Sequence, residues 1–232
     1  YGVGGGITWD STWESEYREV HQKAAVLYRK QARFQLITTG KINQKNLLFE
    51  EQHLERLRTA SRYFAFPFDA EDLRHKIEEE CQACDANQDY RLRISLSKSG
   101  ELEVDRQVLT PLSISFCQAK LCLQEANLQQ AFTYFKTTYR PHLNLGEQEI
   151  IYHNKSGELL ETSIGNLVLK IAEKLYTPPI ELGILSGIYR QHLLETGQIE
   201  EKVLTLADLA QAEAIYGCNT VRGLYELSLE EN

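Results

Sequence analysis

ETSIGNLVLKIAEKLYTPPIELGILSGIYR, residues 161–190, is the stretch that says most about the fold and chemistry of this chain. Glu161 opens a run of polar and small residues, and the TPP step at 177–179 predicts a rigid, extended turn. The small residues of GILSG (183–187) precede a helix that we expect to start near Ile188. Because small residues let backbone N–H groups approach an anion that the helix dipole favours, this pattern is typical of a phosphate site. A glycine-rich turn followed by an ordinary helix cap explains the same residues.

One lysine, Lys136, follows the aromatic segment FTYF at 132–135 and precedes two threonines. We expect residues 132–135 to form a buried strand that places Lys136 at its end. A buried lysine is costly unless it is paired or modified, and desolvation lowers its pKa and frees the amine as a nucleophile. On this segment alone, an exposed lysine on an edge strand is the simpler interpretation.

Hydrophobic periodicity predicts mixed secondary structure in the first half of the chain. An amphipathic helix is expected over residues 14–30, with Tyr17, Val20, Ala24 and Tyr28 on one face. The segments that follow are predicted as a hairpin of strands 34–39 and 46–49, helices 51–63 and 70–84, and strands 90–97, 101–104 and 113–118.

The second half, from about residue 110, mixes helices and strands without a βαβ repeat. Helices are predicted at 160–174, 187–196 and 205–213, and strands at 148–153, 213–217 and 223–229, with a further strand at either 166–170 or 180–182. This mixture predicts an α+β protein with antiparallel or mixed sheets.

Composition and charge exclude several classes of function. The formal charge of −8 repels phosphate backbones, so no nucleic-acid partner is expected. No apolar run reaches the length of a membrane span, and no basic-then-apolar leader opens the chain, so we expect a cytoplasmic protein without membrane contact. Cys81 and Cys84 form a lone CxxC without two further ligands, so no metal site is expected and the five cysteines are predicted to be reduced thiols.

The order and spacing of three motifs, E-x-S-x-x-N, L-x-T and L-x-G-I-x-R, resemble the class IV family of pyridoxal-phosphate (PLP) enzymes. That family contains branched-chain aminotransferases, D-amino acid aminotransferases and aminodeoxychorismate lyases. Val168 stands where the family usually has an aromatic residue. The matching residues are Glu161, Ser163, Asn166, Leu175, Thr177, Leu185, Gly187, Ile188 and Arg190.

Further segments resemble the same family, and the resemblance extends over about residues 33–229. NLLFEEQHLERLRTASRYFAFPF looks like its phosphate-arginine segment, FKTTYR like the lysine segment of its lyase branch, and CNTVRG like its last cofactor loop. The resemblance implies an α+β, two-domain fold of the D-amino acid aminotransferase type. Its small N-terminal α/β domain would span 31–109, and its larger, barrel-like, mixed-sheet PLP-binding domain would span 110–232.

The resemblance also implies roles for individual residues in holding PLP. Lys136 would carry the cofactor covalently and then act as acid and base. Glu161 would face the pyridine nitrogen and keep it protonated. The phosphate would be held by Arg56, by the backbone N–H groups of Ile188 and Tyr189, and by the Thr220 hydroxyl.

Each of these roles has a simpler alternative. Arg56 also fits a surface arginine paired with Glu51 or Glu55. Glu161 also fits a carboxylate that favours a helix N-terminus, and Thr220 also fits an ordinary turn residue.

The substrate side of the site is predicted from fewer signals. Arg91 and Arg93 alternate with apolar residues, so they share one strand face and are candidate contacts for a dicarboxylate, although an outward polar face explains them equally well. Arg222 is another candidate anion contact. The lyase branch of the family places a threonine near the cofactor at the end of the first strand, and of Thr38 and Thr39 the resemblance favours Thr39 as a catalytic residue. His142 and His153 are expected to be surface or loop residues without a role.

The first residues carry a second resemblance. GVGGGITWDSTWESEYREVHQKA looks like the C-terminal end of chorismate-utilising synthases, whose carboxylates matching Glu16 and Glu19 help to hold magnesium. Residues 1–30 would then be a helical remnant of such a domain, without a magnesium site. The implied parent is a fused protein in which a synthase makes aminodeoxychorismate and a lyase consumes it, which makes synthase components possible partners.

The combined resemblance predicts a PLP-dependent lyase that converts 4-amino-4-deoxychorismate, a small-molecule substrate, to 4-aminobenzoate and pyruvate, a step of folate biosynthesis. Two alternatives stay open: a class IV aminotransferase for branched-chain or D-amino acids, and a non-catalytic PLP-binding remnant of a fused synthase. Because family members are usually homodimers with the site close to the subunit interface, the resemblance also implies a homodimer.

Overall fold

The structure is a computed structural model that describes residues 2, 5–28, 33–124, 131–144 and 146–230. The chain forms two compact units, Tyr1–Arg33 and Phe34–Asn232. The first unit contains helix α1 (Trp13–Tyr28), where a helix was predicted over 14–30; the predicted last two residues lie outside the described ones. Within this unit the Ser11 hydroxyl donates to the Glu16 carboxylate at 2.6 Å, and Lys23 pairs with Glu19 at 2.5 Å.

The first half of the second unit is a four-stranded antiparallel sheet with two helices, as predicted. Its strand order is β2-β1-β3-β4, and residues with positive φ at Gln44 and Lys45 make the tight turn between β1 and β2. The Asp69 carboxylate accepts hydrogen bonds from the first turn of α3 and so fixes where that helix begins. The elements are β1 (Leu36–Asn43), β2 (Asn46–Leu47), α2 (Glu50–Phe64), α3 (Ala70–Gln82), β3 (Tyr90–Leu96) and β4 (Leu102–Val108).

The second half contains eight strands with short helices between them. Its elements are α4 (Ile114–Cys117), β5 (Gln118–Leu123), α5 (Ala131–Tyr134), β6 (Ile150–His153), β7 (Leu159–Thr162), β8 (Asn166–Ile171), β9 (Lys174–Thr177), a 3-10 turn (Ile180–Leu182), α6 (Ile188–Glu195), β10 (Glu200–Glu201), α7 (Leu206–Gln211), β11 (Ala214–Asn219) and β12 (Gly223–Leu229).

These strands form one mixed sheet that closes on itself. The order is β10-β9-β8-β11-β12-β5-β6-β7, and β7 pairs again with β8 to complete a barrel-like ring. The closing pair is Glu161 opposite Asn166, which are the first and last residues of the E-x-S-x-x-N motif. The barrel core is apolar and buried, and includes Ala119, Ile151, Leu159, Leu167, Leu169, Leu204, Leu209 and Leu227. The predicted two-domain fold, with a small sheet domain and a larger barrel-like domain, is confirmed.

The helix predicted at 160–174 is wrong. These residues form strands β7 and β8, joined by a tight turn in which Thr162 N donates to Gly165 O at 2.9 Å. Residues 159–162 and 166–169 are buried along their whole length. In β8, Leu167 and Leu169 pack in the barrel core, and Val168 packs on the other face with Leu193 of α6. A continuous apolar run of this length does not by itself distinguish a buried strand from a helix. Of the two alternatives, 166–170 is the strand and 180–182 is a 3-10 turn.

The strands predicted at 113–118 and 132–135 are also wrong. Residues 114–117 form one helical turn, because the Ser113 hydroxyl accepts a hydrogen bond from Phe116 N at 3.1 Å and caps it. Residues 131–134 form another helical turn, so Lys136 follows a short helix and not a strand. The aromatic side chains of Phe132 and Phe135 pack against Phe64, which satisfies their burial without a strand.

Candidate functional site

The site is a narrow cavity where the start of α6 and the turn after β7 face the loop that carries Lys136. It includes about 370 Å³ of space not filled by protein atoms. Three basic side chains and one acidic side chain share its wall. The lining residues are Arg56, Lys136, Arg140, Glu161, Ile164, Gly165, Asn166, Leu185, Gly187, Ile188, Cys218, Asn219 and Thr220.

Lys136 is held by the backbone of the small sheet. Its carbonyl oxygen accepts from Ile37 N at 3.0 Å, and Thr138 N donates to Gln35 O at 2.9 Å. Burial lowers the pKa of the Lys136 amine well below its usual value, and the cations around it, foremost Arg56, lower it further. The nearby Glu161 carboxylate opposes this shift. This lowered pKa favours the neutral form of the Lys136 amine, which is the nucleophilic form.

Glu161 is a buried carboxyl group aimed at the cavity, with 2% of its surface exposed. Its Oε2 accepts a long hydrogen bond from Leu185 N at 3.4 Å, and its Oε1 has no hydrogen-bond partner among the described residues. Burial raises the pKa of Glu161 to about 7, although the Arg140 guanidinium opposes the shift. A buried carboxyl oxygen without a partner is costly and indicates that a ligand donor belongs there.

Arg56 lies on α2 and reaches the start of α6, where its Nη2 donates to Ser186 O at 2.6 Å. Burial lowers the pKa of Arg56 to about 10, so the side chain keeps its charge near neutral pH. Glu51 and Glu55, the two carboxylates considered as its partners from the sequence, pair instead with Arg74 and Arg58. Arg56 therefore contributes a positive charge to the cavity wall.

The start of α6 is packed tightly against Asn166. Helix α6 begins at Ile188, as predicted, with Gly187 as its N-cap. Asn166 Nδ2 donates to Leu185 O at 2.8 Å, and a Cβ on Gly187 would lie 1.9 Å from Asn166 Oδ1. Glycine is required here because no side chain fits, and the first backbone N–H groups of the helix are left available at the cavity. Ile188 lines the cavity, whereas Tyr189 does not.

Thr220 lines the cavity, but its hydroxyl is engaged. Its Oγ1 donates to the carbonyl oxygen of Thr39 at 2.7 Å, which ties the last loop of the barrel to β1. Thr220 would therefore contact a phosphate as a donor only after releasing this bond. Thr39 contributes its backbone to this contact and does not itself line the cavity. Its neighbour Thr38 is buried and shares a 2.6 Å hydrogen bond with His53 Nδ1.

The three arginines predicted to contact the substrate do not line the cavity. Arg91 donates to Gln107 at 3.0 Å, Arg222 donates to the Thr110 carbonyl oxygen, and neither lines the cavity. Arg93 is paired with Thr39 across the small sheet, and its charge reaches Lys136, whose pKa it helps to lower. Of these three, Arg93 is the one electrostatically linked to the cavity.

The sequence did not single out Arg140 as a cavity residue, and it misplaced His142. Arg140 lines the cavity four residues after Lys136, and nothing in FKTTYR distinguishes it from an exposed arginine. His142 was expected at the surface, but it is only 8% exposed, and its neighbour Leu143 belongs to an apolar cluster. Both ring nitrogens of His142 lack partners within the described residues, and burial lowers its pKa to about 4. His153, at the end of β6, is partly exposed.

Among the described residues, no group of three His, Cys, Asp or Glu side chains is arranged to hold a metal ion. None of the helices that the structure describes is long and apolar enough to cross a bilayer.

The family model described as amino-transferase class IV matches residues 35–228, which is most of the chain. This chain belongs to the class IV aminotransferase family. The match spans both sheets of the second unit and every residue that lines the cavity.

Proteins named as lyases and a protein named as an aminotransferase resemble this chain. An aminodeoxychorismate lyase of Saccharomyces cerevisiae is 25% identical over 251 residues, covering 78% of this chain and 67% of the yeast protein. An aminodeoxychorismate lyase of Vibrio harveyi is 23% identical over 221 residues, covering 82% and 81%. The solved structure of a hypothetical aminotransferase from Mycobacterium tuberculosis, in a PLP-bound form, superposes with a TM-score of 0.71 at 20% identity, covering 89% of this chain and 83% of that one, and shows the shared fold.

Proposed function

We propose that this chain is a PLP-dependent lyase that converts 4-amino-4-deoxychorismate to 4-aminobenzoate and pyruvate. The observation that carries the proposal is the meeting of Lys136, Glu161 and Arg56 in one cavity of a class IV fold. These residues are 25 to 105 positions apart in the chain, so their convergence is a property of the fold. The likeness to two aminodeoxychorismate lyases supports the choice of reaction.

The residues present fit PLP. The unpartnered Oε1 of Glu161 would accept a hydrogen bond from a protonated pyridine nitrogen. Arg56 and the first N–H groups of α6 would form a cradle for a phosphate dianion. The lack of space for a Cβ at Gly187 lets the backbone itself approach the phosphate. The lowered pKa of Lys136 favours the neutral form of its amine, which is the form that reacts with an aldehyde.

When bound, PLP supplies an electron-withdrawing ring that stabilises negative charge at the carbon bearing the substrate's amino group. Glu161 holds the ring nitrogen in its protonated form, which maximises that effect. Lys136 Nζ takes the proton from the carbon that bears nitrogen, and the same proton is available for the departing enolpyruvyl group. Loss of that group breaks the carbon–oxygen bond and leaves an aromatic ring, so the atoms of the substrate are shared between 4-aminobenzoate and pyruvate without addition of water.

A second observation favours the lyase over an aminotransferase. The segment GVGGGITWDSTWESEYREVHQKA resembles the C-terminal end of chorismate-utilising synthases, and a synthase of that kind makes aminodeoxychorismate. We propose that residues 1–30 derive from such a domain and that synthase components are partners. The residues that hold the cofactor are common to both reactions, so they do not separate them.

The assignment of Lys136 is tested by reducing the PLP-loaded protein with borohydride and mapping the labelled peptide. We expect the label on Lys136. Lys136→Ala is expected to lower formation of 4-aminobenzoate by at least ~100-fold, whereas the exposed Lys120→Ala is expected to retain it. Label on another lysine, or normal turnover by Lys136→Ala, would show that the assignment is wrong.

The reaction itself is tested by supplying two sets of substrates. We expect 4-aminobenzoate and pyruvate in equal amounts from aminodeoxychorismate, and no exchange of the amino group when an amino acid and a keto acid are supplied. Transamination without 4-aminobenzoate would identify an aminotransferase. A protein that takes up PLP, as judged by its absorbance, but catalyses neither reaction would be the non-catalytic alternative.

We further propose that two copies associate and that the protein acts in the cytoplasm. Sedimentation of the PLP-loaded chain would test the first point, with a mass near twice 26.7 kDa expected. Fractionation of cells that express the natural protein would test the second.

A further inference from the structure

Arg140 is a charged side chain in the cavity wall whose guanidinium is not hydrogen-bonded to any residue that the structure describes. It is partly buried and lines the cavity together with Lys136, Glu161 and Arg56. Within the described residues its guanidinium donates no hydrogen bond and forms no ion pair, although Arg56 is bonded to Ser186 O. Five N–H donors in a fixed planar arrangement are therefore available to a ligand.

The carboxyl group that attracts Arg140, Glu161, also attracts Lys136, so its charge is shared between two cations. Glu161 is the acidic residue of the cavity wall, and its Oε1 has no hydrogen-bond partner, so the guanidinium is not bonded to it through that atom. The three basic side chains of the wall outnumber this one carboxyl group. Arg56 lies against the start of α6, where the phosphate cradle is, and Arg140 remains for a second anion. A partly desolvated cation that shares its counter-charge with another cation is stabilised when a ligand supplies a further negative charge.

The other arginines near the cavity are less suited to this role. Arg91 is bonded to Gln107, and Arg222 is bonded to Thr110, so both have partners away from the cavity. Arg93 reaches Lys136 electrostatically but does not line the cavity. Arg140 is thus the arginine that combines a place in the wall, proximity to the lysine and free donors.

We propose that Arg140 binds a carboxylate of the substrate and so orients the carbon that bears nitrogen toward Lys136. This inference rests on the proposed function, whose substrate carries two carboxylates, one on the ring and one on the enolpyruvyl group. A guanidinium fork matches a carboxylate through two parallel hydrogen bonds, which a lysine at the same position would reproduce only in part.

The test measures binding to the PLP-loaded protein by calorimetry, for wild type, Arg140→Gln, Arg140→Lys and the surface control Arg74→Gln. The probes are 4-aminobenzoate, which retains the ring carboxylate, pyruvate, which retains the other, and uncharged 4-aminobenzamide. We expect Arg140→Gln to weaken at least one carboxylate probe by 10-fold or more, Arg140→Lys to restore part of the affinity, and 4-aminobenzamide to bind all four proteins alike. PLP absorbance checks that each variant is folded and loaded.

Unchanged binding of both carboxylates in Arg140→Gln, or failure of wild type to bind either of them, would overturn the proposal. An equal loss for 4-aminobenzamide would also overturn it, because that result indicates a structural effect and not recognition of charge. Arg93→Gln is measured in parallel, and a loss confined to that variant would move the role to Arg93. The binding test does not depend on turnover, so an Arg140 effect in a protein that forms no 4-aminobenzoate would leave Arg140 assigned and the lyase reaction refuted.

Discussion

Tyr225 donates a hydrogen bond from its hydroxyl to Glu149 Oε2 at 3.0 Å, and Glu149 Oε1 accepts from Ile164 N at 3.2 Å. Glu149 is completely buried, and Ile164 lines the cavity. The two hydrogen bonds therefore connect β12 to the turn that follows Glu161. Ser163 adds to this network, because its Oγ accepts from Ile150 N at 2.8 Å. The turn is positioned by buried polar contacts behind the cavity wall.

Removing the Tyr225 hydroxyl is expected to destabilise the protein. Tyr225→Phe leaves Glu149 Oε2 buried without its donor, and we expect the free energy of unfolding to fall by ~1–3 kcal/mol. Urea denaturation of the PLP-free protein measures this. Tyr63→Phe, at a tyrosine that is 60% exposed, is the matched control and should change stability by less than ~0.5 kcal/mol. Equal stability of the two variants would contradict a structural role for this hydrogen bond.

Glu161 is expected to make stability depend on pH. Burial raises its pKa from 4.5 to about 7, so between these values the folded protein holds a proton that the unfolded chain has released. The stabilising contribution is complete below about pH 4.5 and is lost as the pH rises through about 7, for a total of ~3 kcal/mol.

Comparison with Glu161→Gln isolates this effect. His53 and His142, whose pKa values burial lowers to about 3 and about 4, change stability in the opposite direction, but they do so in both proteins. The difference in free energy of unfolding, wild type minus variant, should therefore fall between pH 4.5 and pH 7.5. A difference that is constant with pH would mean that the Glu161 pKa is not raised.

Gly187→Ala is expected to disrupt the phosphate cradle. The new Cβ would lie 1.9 Å from Asn166 Oδ1, so Asn166 or the start of α6 must move. We expect the Kd for PLP to rise at least ~10-fold, with a loss of stability of ~1–3 kcal/mol. Absorbance titration with PLP measures the affinity. Gly146→Ala, whose Cβ would lie 3.8 Å from its nearest neighbour, is the control, and similar affinities for the two variants would refute the prediction.

Arg190, the last residue of L-x-G-I-x-R, is expected to act on stability. It is 1% exposed, its Nη2 donates to Pro178 O at 2.8 Å, and it pairs with Glu201. Arg190→Met removes both contacts and leaves the buried Pro178 O without its donor, and we expect a loss of ~1–3 kcal/mol in the free energy of unfolding. Glu201→Gln, which keeps an acceptor for Arg190, should cost less than ~1 kcal/mol. If Glu201→Gln lowers the free energy of unfolding as much as Arg190→Met does, the ion pair alone accounts for the stabilisation.

Local signals predicted some elements well because their cause is local. Helix α6 begins at Ile188, directly after the small residues Ser186 and Gly187, and Gly187 is its N-cap. Helices α2 and α3 were also found near their predicted positions, since amphipathic spacing and the Asp69 cap act within a few residues. The segment 160–174 failed because its strands are defined by pairing with β11 and β9, which no local pattern records.

The sequence by itself determined the family, through the order and spacing of E-x-S-x-x-N, L-x-T and L-x-G-I-x-R, and it singled out Lys136, Glu161 and Arg56. Only the tertiary structure decided which charges share the cavity. It added Arg140 and left Arg91 and Arg222 outside the wall. The physical reason is that burial and the distances between charged groups set the pKa values of those groups. Both depend on contacts between residues far apart in the chain, such as the Glu161–Asn166 pair that closes the sheet.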